Sequence, residues 1–322
     1  MLRRLALPLL AVLLVPAAAQ AKSVPGPALR TAPAALERAW HCSGRLQGAK
    51  RDPVLLVHGT FADSAISWSW NYARTLPAAG RPACSVDLPD RSAGDIQVSA
   101  EYVVWAIRTM ARESGRRVAV LGHSQGGLGT RWALRWWPDL RDDVSDVIMF
   151  GTPNHGATYS DSNYTGPSTC SASLYQMRSD SQFLAALNAG GDTVAGVPYT
   201  AVVTDTDTTF VLPAQGKLDG PAGVVTNVAV QNLCPGRQVD HNGLVYDAVS
   251  NAIAMDALDH PGPARAGRID PAVCSRDTMP GTTRAQADAK VQSYTATLVQ
   301  LLGPAGPKAR GEPPLAGYAR RR

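Results

Sequence analysis

The chain has 322 residues, of which 45% are apolar and 18% charged, enough for one large α/β domain or two smaller ones. Its formal charge of +5 sits at the two ends: Arg3 and Arg4 open the chain, and the stretch after Pro307 is basic, so the body between is nearly neutral. A nucleic-acid partner, which needs basic residues gathered on one face, is excluded.

Arg3 and Arg4, the apolar run Leu5 to Val15 and the small-residue site Ala19-Gln20-Ala21 read as a secretory leader cleaved after Ala21. Residues 1–21 are therefore expected to be a signal peptide, and the mature protein to be secreted, extracellular or periplasmic. That run is too short to span a bilayer, and no later run of about 18 apolar residues follows. Five cysteines in an exported chain imply disulfides with one thiol left over. Cys42 and Cys84 flank the first core strand, and Cys234 and Cys274 flank a segment with a candidate histidine. Spacing alone leaves the pairing open. Local bridges are economical, but Cys170 could replace any of the four.

Residues 22–50 are rich in Pro and Ala and read as an extended arm with a short helix near Ala34 to Trp40. Pro53 to Gly59 is a continuous apolar run stopped by glycine, as expected of a strand buried on both faces. Ala83 to Leu88 is a second such strand. Val103, Ile107 and Met110 give helical spacing within Val98 to Glu113. Val118 to Leu121 is the third strand, Leu128 to Trp137 a helix stopped by Pro138, and Val144 to Phe150 the fourth strand. A polar stretch over 154–196, with a short helix from Ser181 to Asn188, reads as a lid or pocket-wall insertion. Tyr199 to Val203 and Gly223 to Val230 are two more strands, Asn242 to Asp259 is helical, and Ala285 to Leu302 is the final long helix. Residues 303–322 read as an extended tail. Strands alternating with helices predict an α/β fold with a mostly parallel sheet, in a single domain over 22–322.

The chemistry is concentrated in Gly122-His123-Ser124-Gln125-Gly126. A strand enters this Gly-x-Ser-x-Gly and a helix leaves it, the context of a nucleophile elbow. The serine of such a turn adopts strained backbone angles, and small residues must flank it where strand and helix pass closely. A serine hydroxyl needs a base, and on this fold the order is Ser, then an acid, then His. His41, His58 and His123 precede or abut Ser124, and His155 comes too early to follow an acid. His241 and His260 remain. His241 follows a strand and is preferred; His260 ends a helix, where a cation complements the dipole. The acid should lie past the strand Tyr199 to Val203, which offers Asp207, preferred, and Asp205 as the alternative. Asp240 reads as a structural loop carboxylate. The oxyanion hole is expected from Thr60, after His58-Gly59, and from the N–H of Gln125. No metal spacing and no phosphate loop appears, so neither metal nor cofactor is expected.

These residues make the chain resemble the secreted α/β-hydrolase lipases of the Candida antarctica lipase B type. The likeness runs from about Cys42 onward through Leu55-Leu56-Val57-His58-Gly59-Thr60, Ser124-Gln125-Gly126-Gly127-Leu128, Leu187-Asn188-Ala189-Gly190-Gly191, Thr206-Asp207 and Asp240-His241, and into Gly306-Pro307-Lys308. It implies the α/β-hydrolase fold, a triad of Ser124, Asp207 and His241, an oxyanion hole of Thr60 and Gln125, and disulfides Cys42–Cys84 and Cys234–Cys274. His123 departs from the pattern, because the yeast lipase has tryptophan there. So does Thr152-Pro153-Asn154-His155-Gly156, which looks more like bacterial lipases, and the family's third disulfide has no counterpart. The expected activity is carboxylic-ester hydrolysis, as a triacylglycerol lipase or esterase working through an acyl-enzyme. A polyester depolymerase, a cutinase-like enzyme or an acyltransferase would share the triad; a non-catalytic binding protein would be expected to lose part of it. The expected partners are a lipid or ester substrate and a lipid–water interface, with the protein a monomer.

Overall fold

A computed structural model describes residues 24–163, 170–304 and 306–320. The expected leader, 1–21, lies outside them. Among the described residues, seven strands form one sheet: β1 (Trp40–Ser43), β2 (Val54–Val57), β3 (Ala83–Val86), β4 (Val118–His123), β5 (Val144–Phe150), β6 (Tyr199–Val203) and β7 (Val225–Ala229). Their order is β1-β3-β2-β4-β5-β6-β7. β1 runs antiparallel to β3, and every other pairing is parallel.

Four helices matter for the site: α1 (Ile96–Ser114), α2 (Gln125–Trp136), α3 (Ala248–Asp259) and α4 (Arg284–Leu302). Asp95 caps α1 by accepting from the Gln97 N–H, and Gly115 ends it in the left-handed conformation. Asp247 caps α3, and Thr283 forms a capping box with Gln286 at the start of α4. All residues of β2, β4 and β6 are buried because helices cover both faces of the sheet. Successive side chains then go to opposite cores. Leu55, Val57, Val120 and Met149 pack with Ile107 of α1 and Trp132 of α2, whereas Leu56, Leu121, Ile148 and Phe150 pack with Val249 and Ile253 of α3.

Two local expectations need correcting. The arm before Val54 contains β1, an edge strand whose middle residues His41 and Cys42 are exposed, so it carries no apolar run. The helix after the elbow begins at Gln125 rather than Leu128, directly on Ser124. Disulfides join Cys42 to Cys84, which are register partners in β1 and β3, and Cys234 to Cys274. Cys170 is buried. The tail is extended but docked. Glu312 accepts from the Gln182 and Phe183 N–H groups, Ala316 N–H donates to Gln97, and the Trp132 indole donates to the Tyr318 hydroxyl at 3.1 Å. No described helix is long and apolar enough to cross a membrane.

The registry between β4 and β5 shifts after Val118, bringing Asp146 opposite Ala119 in the buried sheet. Burial there pushes its carboxyl up to about 8, with Arg117 only partly offsetting it. An unfolded chain gives up this proton near the usual carboxylate value, so raising the pH toward 8 favours unfolding. Asp146→Asn is expected to raise stability at pH 8 by about 1–3 kcal/mol and to flatten the decline between pH 5 and pH 8. Paired thermal melts across that range check it.

Candidate active site

Ser124 stands at the C-terminal end of the central strand β4, at φ 53° and ψ −127°. Few L-residues adopt such angles, and holding one costs about 1–3 kcal/mol. The strain is imposed by crowding. A Cβ on Gly126 would lie 2.4 Å from the Val57 carbonyl oxygen, and one on Gly122 would lie 2.8 Å from the Gly127 nitrogen. Only glycine fits where the elbow crosses β2 and turns into α2, as the sequence pattern anticipates. The Ser124 N–H is held by the Phe150 carbonyl at 2.8 Å.

Gln125 is the first residue of α2, so its N–H is among those a helix leaves without an internal partner. The direction of the Thr60 N–H is set by a buried histidine. His58 Nε2 accepts the Leu88 N–H at 2.9 Å, which puts the ring proton on Nδ1, and Nδ1 donates to the Gly59 carbonyl at 2.9 Å. Burial keeps this imidazole neutral by pushing its pKa down. The Gly59–Thr60 peptide is trans, so pinning its carbonyl turns the Thr60 N–H the opposite way. The Thr60 hydroxyl donates to Gln125 Oε1 at 2.5 Å, joining the two expected donor residues.

His241 follows β7 in a loop, with Nδ1 2.7 Å from Asp207 Oδ2. Both side chains are buried. Burial pushes the Asp207 carboxyl up, but the bond and charge of His241, with the N–H groups of Phe210 and Val211, outweigh it and hold it below the usual carboxylate range. The loops carrying the pair are latched together: the Thr204 and Thr206 hydroxyls both donate to the Val239 carbonyl, at 2.7 and 2.6 Å. Asp205 is exposed, with its own N–H on Gln231. The other candidates are engaged elsewhere: Asp240 accepts from the Gly243 N–H, His260 contacts Asp256, and His155 contacts Asp192.

Two cavities meet at Ser124. One is shared with His241 and lined by Phe61, Ala157, Leu174, Met177 and Phe210. The other is lined by His123, Ile66, Trp70, Val245 and Val291. Ala157, Leu174 and Met177, from the polar stretch after Pro153, thus supply part of one wall. Sequence reasoning missed the roof: α4 lends Tyr294 to both cavities, Leu298 to the first and Val291 to the second, and Lys290 ties it down through the Ala65 carbonyl at 3.0 Å. Apolar residues spaced three and four apart on α4 were the available signal.

No family model matches the chain. Lipase B of Pseudozyma antarctica is 28% identical over 300 residues, spanning 91% of this chain and 86% of that protein. A triacylglycerol lipase of Pseudomonas fragi is 32% identical over 113 residues, 34% of this chain and 38% of its own length. Among solved structures, Aspergillus fumigatus lipase B superposes with a TM-score of 0.83 at 31% identity, covering 92% of this chain and 74% of that one. A Bacillus licheniformis lipase shares the fold at 18% identity and a TM-score of 0.56. A likeness of that extent, over a sheet that carries Ser124 at a strained strand–helix turn, means that the chain belongs to the lipase B family of α/β-hydrolases, which are lipase-like carboxylic-ester hydrolases.

Proposed function

We propose that the protein is an exported lipase or esterase in which Ser124, His241 and Asp207 form the catalytic triad and Thr60 and Gln125 the oxyanion hole. Ser124 Oγ attacks the ester carbonyl carbon while His241 Nε2 takes its proton. Asp207 keeps the imidazole in the Nδ1–H tautomer and stabilises the imidazolium. The developing oxyanion is met by the Thr60 and Gln125 N–H groups, fixed in advance by His58 and by the start of α2. Collapse expels the alcohol, which takes the proton from His241, and leaves an acyl-enzyme. Water activated by the same histidine then releases the acid.

The observation that carries this reading is the buried His241–Asp207 pair opening onto the cavity that contains Ser124. Apolar walls on both sides of the serine favour an ester with a hydrocarbon chain on at least one side of the carbonyl. Export rests on the leader motif and on the two disulfides, which persist in oxidising compartments. Residues 22–322 then form a single domain, with 154–196 as a pocket wall.

The test is covalent. A fluorophosphonate probe should label the protein once, with the mass increase mapped to the peptide bearing Ser124, and p-nitrophenyl esters from butyrate to palmitate and emulsified triacylglycerol should be hydrolysed. Absence of labelling rejects the reading. Faster release from polyester film than from any glyceride moves the substrate to polymers.

A further inference from the structure

His123, beside the nucleophile, has no part in the steps above. It is 8% exposed, and its Nε2 lies 3.1 Å from the backbone carbonyl of His241. A carbonyl oxygen can only accept, so Nε2 carries the proton and Nδ1 is bare. Burial, and then the neighbouring His241, push its pKa down to about 3, so the ring stays neutral wherever an esterase works. The two imidazoles also touch, with ring centroids 4.8 Å apart.

The connectivity gives this bond its consequence. His123 is the last residue of β4 and is paired in register with Phe150 of β5, so its backbone is fixed by the sheet. His241 lies outside regular structure, before the short turn Gly243–Val245. Asp207 holds one ring nitrogen, and the threonine latch acts two residues upstream, at Val239. Within this set, the His123 bond grips the peptide of His241 itself and refers it to the strand that presents Ser124.

We propose that His123 is a positioning residue for His241, a neutral imidazole whose Nε2–H, given to the His241 carbonyl, sets the spacing between base and nucleophile. This rests on the reading of Ser124 and His241 as nucleophile and base. Proton transfer is sensitive to such spacing: a displacement of about 1 Å can cost about 100-fold in rate. The role requires a donor and not merely a ring, which separates it from packing.

The experiment compares His123→Phe, which keeps a ring without a donor, with His123→Gln, whose amide N–H reaches about as far as Nε2. Both are assayed on p-nitrophenyl butyrate beside Ser124→Ala and His241→Ala, with melting temperatures recorded. The expected result is a fall in kcat of about 10- to 100-fold in His123→Phe, with KM within about twofold, and recovery of most of that loss in His123→Gln. A His123→Phe enzyme with wild-type kcat, or a folded His123→Gln no better than it, overturns the positioning role. Should His123→Phe not fold, 15N-histidine spectra of the wild-type protein decide: His123 must appear as the neutral Nε2–H tautomer, and the Nδ1–H form overturns the proposal. Activity that survives Ser124→Ala and His241→Ala sinks the reading of Ser124 and His241 as nucleophile and base instead, so the two failures are distinct.

Discussion

Ser124→Ala is expected to lower kcat for ester hydrolysis by about 10⁴- to 10⁶-fold, because no other hydroxyl is set at the elbow to form the acyl-enzyme. Loss of this hydroxyl should leave a folded protein. The backbone there stays at φ 53° whatever the side chain, since neighbouring glycines and the Phe150 carbonyl impose it. Alanine therefore inherits the strain, whereas glycine relieves it. Ser124→Gly should accordingly be more stable than Ser124→Ala by about 1 kcal/mol and so melt higher, while both are equally inactive. Equal melting of the two variants would mean that the turn relaxes once the hydroxyl is gone.

Asp207→Asn is the second large effect, with a loss of about 10⁴-fold in kcat expected. The amide can offer its NH₂ to Nδ1, which favours the tautomer carrying the proton on Nε2, the nitrogen that in the proposed reaction must receive the proton from Ser124. It also removes the buried charge that balances the imidazolium. Asp205→Asn, two residues away on an exposed turn, should change kcat by less than about twofold. Reversed magnitudes in this pair of assays would exchange the two roles. The carboxylate of Asp207 is held below its usual pKa in the fold, so its contribution to stability is present above the unfolded value and is lost only as the solution is acidified through the lower one.

Periodicity revealed most of the scaffold because most of it is buried on both sides. Val54–Val57 and Val144–Phe150 read as apolar runs for the same reason that they pair in the middle of a helix-covered sheet. β1 was illegible by that logic. An antiparallel edge strand of four residues, with His41 and Cys42 facing solvent, leaves no hydrophobic signature. Around the site, the elbow was readable since chain neighbours create it. Which aspartate meets His241 was not readable, because Asp205 and Asp207 differ only in which way a turn points them. The bond from His123 to the His241 carbonyl spans 118 positions along the chain, and no local pattern encodes it. α4 was visible as a helix with Val291, Tyr294 and Leu298 at helical spacing, but that spacing does not say which surface the face covers, and in the fold it roofs both cavities while only Ala287 of the helix is fully buried.

The docked C-terminal segment links remote parts of the molecule. Tyr318 packs against Trp132, Trp136 and Trp137, residues on or just after the helix that starts with Gln125. Trimming the chain before Lys308 would strip that aromatic cluster of the cover that Tyr318 gives it. A protease nick or a truncation at the far terminus would thereby loosen the rod that begins at Gln125, the proposed oxyanion donor, and catalytic competence would decay without any change to the residues proposed to do the chemistry.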